Sequence, residues 1–198
     1  MDKVIERAKK IKILITDVDG VLTNGKLNLF INAKGELDEF KSFSAVDGLG
    51  FLILSDAGIG SAIITGRTHK TTELRATFLG FKYIYQGYLD KKDPFEDILK
   101  RENITAEEVA YIGDDIIDLP LLTKVGLAIC PGNAREDVKK YCHYITDANG
   151  GDECAREVVE MILNSQGKWH PFVEDIKEAR WQRKPKAKTQ VFTSTGSH

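Results

Sequence analysis

Residues 12–23, KILITDVDGVLT, constrain the fold more than any other stretch of the chain. Ile13, Leu14 and Ile15 form a short aliphatic run that ends in two acids one residue apart, Asp17 and Asp19, followed by Gly20 and Thr23. An apolar run this short, closed by acids and glycine, reads as a parallel strand buried on both faces. Its acids then lie at the C-terminal edge of the sheet, where open α/β sheets bind their ligands.

The pattern recurs along the chain. Apolar runs at 61–65, 82–85, 109–112, 127–130 and 143–146 alternate with helical stretches at 47–56, 70–79, 94–102, a segment through Leu122, and 152–163. Pro94 suits the first turn of its helix, and Thr105 with Glu108 forms a capping-box pattern. Alternation of this kind implies βαβ crossovers and a doubly wound, mostly parallel, Rossmann-like α/β sheet. At 198 residues the chain suits one such domain, spanning residues 1–167 and opening with a helix at 2–10.

Two segments depart from the alternation. Residues 26–31 and 36–43 are extended runs joined by Asn32-Ala33-Lys34-Gly35, a turn that supplies positive-φ positions for a β-hairpin. An isolated hairpin is marginal in water, and Leu27, Leu29, Ile31, Leu37 and Phe40 stay partly exposed unless something covers them. A second subunit is the expected cover. Residues 168–198 form an extension: a charged helical stretch to about Arg183, then a basic, hydroxyl-rich, aperiodic tail expected to be flexible or ordered only on a partner.

Composition removes several functions. With 28 basic and 30 acidic residues the net charge is −2, so no overall field favours nucleic acid or an anionic membrane. Apolar runs fall short of the roughly 20 residues that a membrane helix needs, and the charged opening helix is no signal peptide, so a cytoplasmic protein is expected. Cys130, Cys142 and Cys154 are odd in number and lack CxxC spacing, which points to buried free thiols rather than a disulfide framework or zinc.

The strand ends bring together Asp17, Asp19, Thr65, Lys91, Asp114, Asp115 and Asp118. So many carboxylates repel unless a cation joins them, and a hard divalent ion such as Mg²⁺ accepts a few carboxylates, waters and a phosphate oxygen. A carboxylate facing a phosphate can attack phosphorus, the role expected of Asp17. Asp19 then serves as general acid and base. Mg²⁺ is expected on Asp17, the backbone carbonyl of Asp19 and Asp114. Loop amides after Asp17 form a phosphate cradle, and Thr65 and Lys91 hold the remaining phosphate oxygens.

Competing roles exist for several of these residues. Thr65 could cap the next helix, Lys92 is a neighbouring rival to Lys91, and Arg67 either reads a sugar carboxylate with its fork or makes a structural salt bridge. Asp115 and Asp118 are expected to orient ligands and Lys91. Phe43 and Asp47 either shape the substrate mouth or begin a helix with Asp47 as N-cap. His69, His143, His170 and His198 lack metal spacing and read as structural or surface residues.

DVDGVLT, the strand ending in Thr65, Lys91, and GDDIID together resemble the four motifs of the haloacid dehalogenase superfamily of phosphatases, over residues 12–165. Within it, the hairpin after the first motif, the lack of a cap domain, TGR at Thr65 to Arg67, YQGYLDK and AYIGDDIIDLPLL resemble the 3-deoxy-D-manno-octulosonate 8-phosphate phosphatases. The resemblance implies a Mg²⁺-dependent phosphomonoesterase of lipopolysaccharide precursor synthesis working through an aspartyl phosphate. It also implies substrate contacts from Thr65, Gly66, Arg67 and Lys91, and a homotetramer in which hairpins associate and neighbours partly cover the active sites. One departure is visible: the family pattern GGxGAxRE reads Gly150-Gly151-Asp152-Glu153-Cys154-Ala155-Arg156-Glu157 here. A phosphatase for another sugar acid, such as a nonulosonate 9-phosphate, is the alternative. A non-enzymatic phospho-acceptor module is disfavoured by the DxD spacing and by Thr65 where such a module carries an acid.

Overall fold

Residues 13–16 form strand β1 (Ile13–Thr16), buried at all four positions, and it is the centre of the sheet. Its side chains alternate between two cores: Leu14 packs with one cluster, Ile13 and Ile15 with another. The computed structural model describes residues 2–185 and 188–194. Before β1 lies helix α1 (Asp2–Ala8); after it come the hairpin strands β2 (Asn28–Ile31) and β3 (Leu37–Phe40) and helix α2 (Ala45–Asp56). Strand β4 (Gly60–Thr65), helix α3 (Lys70–Leu79), strand β5 (Tyr83–Gln86), helix α4 (Lys92–Glu102) and strand β6 (Val109–Ile112) follow. The short helix α5 (Leu119–Leu122), β7 (Leu127–Cys130), α6 (Glu136–Lys139), β8 (Tyr144–Ile145), α7 (Cys154–Ser165), α8 (Trp169–Lys177) and β9 (Gln190–Thr193) complete the chain.

Strand order is β8-β7-β6-β1-β4-β5-β9, all parallel. From β1 the chain moves outward through β4 and β5, then returns to β6 on the other side of β1. The reversal makes the C-terminal end of β1 a topological switch point, the crevice such sheets use for ligands. Helices α1, α2, α3 and α7 contribute to one core and α4, α5 and α6 to the other. Among the described residues no helix is long and apolar enough to cross a membrane.

The hairpin is a separate two-stranded sheet with Asn28 opposite Phe40 and Ile31 opposite Leu37. Asn32 Oδ1 accepts from the amides of Lys34 at 2.9 Å and Glu36 at 3.1 Å, and Gly35 takes φ 79°, which builds the expected turn. Ile31 and Leu37 are 66% and 68% exposed, so the ribbon's apolar side chains lie open on this chain.

Helix α2 begins at Ala45, and Ser44, whose hydroxyl accepts from the Val46 and Asp47 amides, is its N-cap. Asp47 is therefore not the cap. It is buried, and its Oδ1 accepts from the Arg156 amide at 2.7 Å, tying α2 to the start of α7.

The extension also differs from expectation. Residues 190–193 do not hang free but pair with β5 as the seventh strand, Ile84 opposite Val191. Phe192 stacks on Tyr85 at 4.5 Å between ring centroids, and the Arg101 guanidinium lies 4.9 Å from its ring centre. Earlier, Trp181 Nε1 donates to Asp56 Oδ2 at 2.8 Å. β5 would otherwise present an unpaired edge, and the short β-prone run QVFT covers it. Residues 186–187 and 195–198 of that tail lie outside the described residues.

The altered glycine motif has a backbone consequence. A Cβ on Gly150 would sit 1.8 Å from Gly20 O, and one on Gly151 would sit 2.4 Å from Asn24 N, so both glycines let α7 press against the loop after β1. Glu153, where the family pattern has glycine, holds φ 77° just before α7. A Cβ in this left-handed region is disfavoured by roughly 1 kcal/mol or more. Glu153→Gly should therefore raise unfolding stability by about 0.5–1 kcal/mol, while Glu153→Ala, which keeps the Cβ, gains nothing; urea denaturation that shows equal gains, or none, contradicts the assignment.

Candidate active site

Asp17 follows β1 two residues past Ile15 and keeps that strand face; its amide donates to Ile112 O at 3.0 Å, fixing it beside β6. On that side lies Lys91, fully buried. Its Nζ donates to Asp17 Oδ2 at 2.6 Å, Asp118 Oδ1 at 2.6 Å and Tyr111 Oη at 3.1 Å. Lys92, the sequence rival, is exposed. Tyr111 Oη also donates to Asp118 Oδ1 at 2.5 Å, and Asp118 Oδ2 accepts from the amides of Asp114 at 2.9 Å and Asp115 at 3.2 Å. Asp118 is thus the brace between Lys91 and the loop carrying Asp114. Asp115 turns its exposed carboxylate onto the Ile116 amide at 2.7 Å instead of toward Lys91.

Single oxygens of Asp17, Asp114 and Asp118 lie within 4.8 Å of one another. The crowding is made possible by glycine: a Cβ on Gly20 would come 2.1 Å from Asp114 Oδ2, and one on Gly113 would come 2.5 Å from the Asp118 side chain. Burial pushes Asp17 up to about 6, with Asp118 repulsion adding and Lys91 opposing. Burial, then the charges of Asp17, Asp118 and Asp115, push Asp114 up to about 7. Burial works against the charge on Lys91, yet Asp17 and Asp118 hold its affinity for the proton above the ordinary value.

At the mouth, Asp19 Oδ1 accepts from the Lys41 ammonium and, at 3.5 Å, from the Thr23 hydroxyl. Asp19 Oδ2 is buried without a hydrogen bond and stands 3.6 Å from Arg67 Nη1. Thr65 is 2% exposed and its hydroxyl accepts from the Arg67 amide at 3.4 Å. It does not cap α3; His69 does, its Nδ1 accepting from the Thr71 amide at 3.2 Å. Asp17, Asp19, Thr65, Gly66, Arg67, Asp114 and Asp115 line one open depression together with Gly25, Leu89 and Ile117. Phe43 and Asp47 line a different, apolar cleft with Phe51, Leu79 and Phe81.

Three contributors escaped the sequence reading. Tyr111 sits inside an apolar strand and looks like core; only its hydroxyl, alone in that run, signals a buried polar partner. Glu39 and Lys41 look like ordinary polar positions of a hairpin, and no local pattern marks them as reaching Asp19 and Arg67.

Two outcomes follow from the buried charges. Asp118→Ala strips a partner from a buried ammonium and two amides, so it should cost about 3 kcal/mol or more, against roughly 0.5–1 kcal/mol for the exposed Asp115→Ala, which loses only a cap on the Ile116 amide; similar melting losses would contradict the brace. Asp17, Asp114 and Asp47 all have folded pKa values raised above 3.8, Asp47 to about 6 chiefly by burial. The folded state then binds more protons than the unfolded one, and metal-free protein should lose stability as pH rises from roughly 4 to 7. Chemical denaturation in EDTA across that range would show no such loss if these acids were unperturbed.

The sequence profile of haloacid dehalogenase-like hydrolases matches residues 76–156. A 3-deoxy-D-manno-octulosonate 8-phosphate phosphatase from Yersinia pestis is 41% identical over 167 residues, covering 84% of this chain and 87% of its own. The crystal structure of such a phosphatase from Moraxella catarrhalis, in complex with magnesium ion, phosphate ion and KDO, is 37% identical with a TM-score of 0.83, over 89% of this chain and 99% of that one. A cobalt-bound form of the Haemophilus influenzae enzyme is 40% identical with a TM-score of 0.77, over 84% of this chain and 95% of that one. With the strand-end acids, Lys91 and this similarity across nearly the whole length of its relatives, the chain belongs to the haloacid dehalogenase-like hydrolase family.

Proposed function

We propose that this protein is a divalent-metal-dependent phosphomonoesterase that hydrolyses 3-deoxy-D-manno-octulosonate 8-phosphate to the free sugar acid and phosphate. The observation that carries the reading is the seat of Asp17, at the floor of the depression between the Lys91 ammonium and Asp114, with Arg67 at the rim. The 41% identity to a phosphatase of that substrate supports the choice of ester.

The donor set fits a hard cation. Asp17 and Asp114 supply crowded carboxylate oxygens whose proton affinities are raised first by burial and then by neighbouring carboxylates, and the backbone carbonyl of Asp19 is the third protein ligand in our reading. Asp118 is as close, but it is fully buried, does not line the depression as Asp17 and Asp114 do, and holds Lys91 and the loop carrying Asp114, so we assign it to bracing. Bound there, Mg²⁺ supplies neutralisation of charge on the phosphate oxygens; relatives are described with magnesium and with cobalt.

Asp17 attacks phosphorus, forming a carboxyl–phosphoryl bond while the bond to the sugar oxygen breaks. Asp19 gives its proton to that leaving oxygen and then takes one from the water that hydrolyses the aspartyl phosphate. Its Oδ2, free of hydrogen bonds, is the oxygen that serves. Val18 N donates to Asp17 Oδ1 at 2.6 Å, and the amides of Val21, Leu22 and Thr23 turn back onto Val18 O. The phosphate cradle is thereby narrowed to the amides of Asp19 and Gly20, with the Thr65 hydroxyl opposite. Lys91 holds Asp17 in place and offers positive charge to the transferring group.

The open hairpin supports a homo-oligomer, a tetramer in our reading, with its apolar ribbon buried between subunits. The three free thiols fit a reducing, cytoplasmic setting.

A panel of sugar phosphates with phosphate release as readout should give the highest kcat/KM for 3-deoxy-D-manno-octulosonate 8-phosphate, with activity lost in EDTA and restored by Mg²⁺. A higher value for a nonulosonate 9-phosphate or for a neutral sugar phosphate overturns the substrate. In sedimentation, the Ile31→Asp, Leu37→Asp double variant should be smaller than the wild-type oligomer; a wild-type monomer contradicts the hairpin's role.

A further inference from the structure

Arg67 reaches the rim of the depression with its fork already filled. Nη1 donates to Glu39 Oε1 at 3.1 Å while Nη2 donates to Oε2, a bidentate pairing that joins the loop after β4 to strand β3. The arginine holds the Glu39 carboxyl below its usual range, so the partner is an anion. Neighbouring contacts fix the strand in that pose: His69 Nε2 lies 3.2 Å from Glu39 O, and Lys41 reaches Asp19 while standing 3.7 Å from Glu39 Oε1.

A planar guanidinium meets a planar carboxylate in one preferred geometry, whichever molecule carries the carboxylate. The seat on Arg67 that a sugar acid would take is thus occupied by a group of the same shape and charge. We infer that Glu39 is a specificity-determining residue, an internal stand-in for the substrate carboxylate on Arg67. The inference rests on the proposed reading of Arg67 as the carboxylate reader. An acid substrate exchanges one carboxylate for another at the same fork, and the displaced Glu39 has Lys41 within reach. A neutral sugar phosphate brings nothing to the exchange and leaves the latch closed. Competition at the fork therefore sets how strongly Arg67 favours an acid, raising KM for the acid more than for a neutral ester that does not engage Arg67.

The test is steady-state kinetics of wild type, Glu39→Gln, Arg67→Gln and the double variant on the octulosonate 8-phosphate and on the same ester with its carboxylate converted to an amide. Glu39→Gln removes the competing charge and keeps the size. It should lower KM for the acid about two- to fivefold, the scale of a partly exposed ion pair, and lower that for the amide less. The effect should vanish in the Arg67→Gln background, which a merely structural hairpin defect would not produce. If wild type prefers the acid but Glu39→Gln leaves KM unchanged, raises it, or shifts acid and amide equally, the stand-in role is overturned and the reading of Arg67 survives. If wild type treats acid and amide alike, Arg67 does not read a carboxylate and the inference falls with it.

Discussion

The site depends on one buried cation. Lys91 has no contact with water, and an ammonium removed from solvent costs several kcal/mol unless counter-charges and hydrogen bonds accompany it. Asp17 and Asp118 are those counter-charges, and Tyr111 adds a neutral oxygen. Three strand ends must converge for the set to close: β1 for Asp17, the loop after β5 for Lys91, and β6 with the turn beyond it for Tyr111 and Asp118. The parallel sheet with its reversal beside β1 is the arrangement that brings them together. Lys91 in turn fixes Asp17 at the floor of the depression, so the proposed reaction and the fold share a single electrostatic centre.

Legibility in the sequence followed the physical range of each signal. Strand β1 and the acids after it are local: a short apolar run broken by DxDG can be little else, and its partners recur at the ends of other apolar runs. Choosing Lys91 over Lys92 drew on motif resemblance, while the burial that separates them is a tertiary fact. Asp115 and Asp118 are indistinguishable by spacing. Only the fold reveals that one is wholly buried and bonded on both oxygens while the other caps an exposed turn. Ser44 took the capping position from Asp47 because the chain enters α2 earlier than the apolar periodicity suggests. The last strand was hidden because four β-prone residues follow a basic, proline-containing stretch, and edge pairing is settled by the vacancy beside β5 rather than by local composition.

The departures from the family pattern lie around the loop after β1. Gly150 and Gly151 keep the close approach that the loop requires, whereas Glu153 takes a left-handed backbone without glycine and Cys154 packs its thiol 3.3 Å from Val21 O. Arg156 is drawn away from the depression, paired with Glu160 at 2.6 Å and lying over Trp169. The changes therefore fall on how α7 supports the loop after β1. The charged side chains Arg67, Glu39 and Lys41 at the mouth are not drawn into these changes and join the hairpin to the sheet.

The central claim is that Asp17 carries the phosphoryl group during turnover. Rapid acid quenching with substrate labelled in its phosphate, followed by peptide mapping, tests it most directly. The account predicts transient label on the peptide holding Asp17 and none in Asp17→Asn; turnover without labelled enzyme, or label retained in that variant, would contradict it.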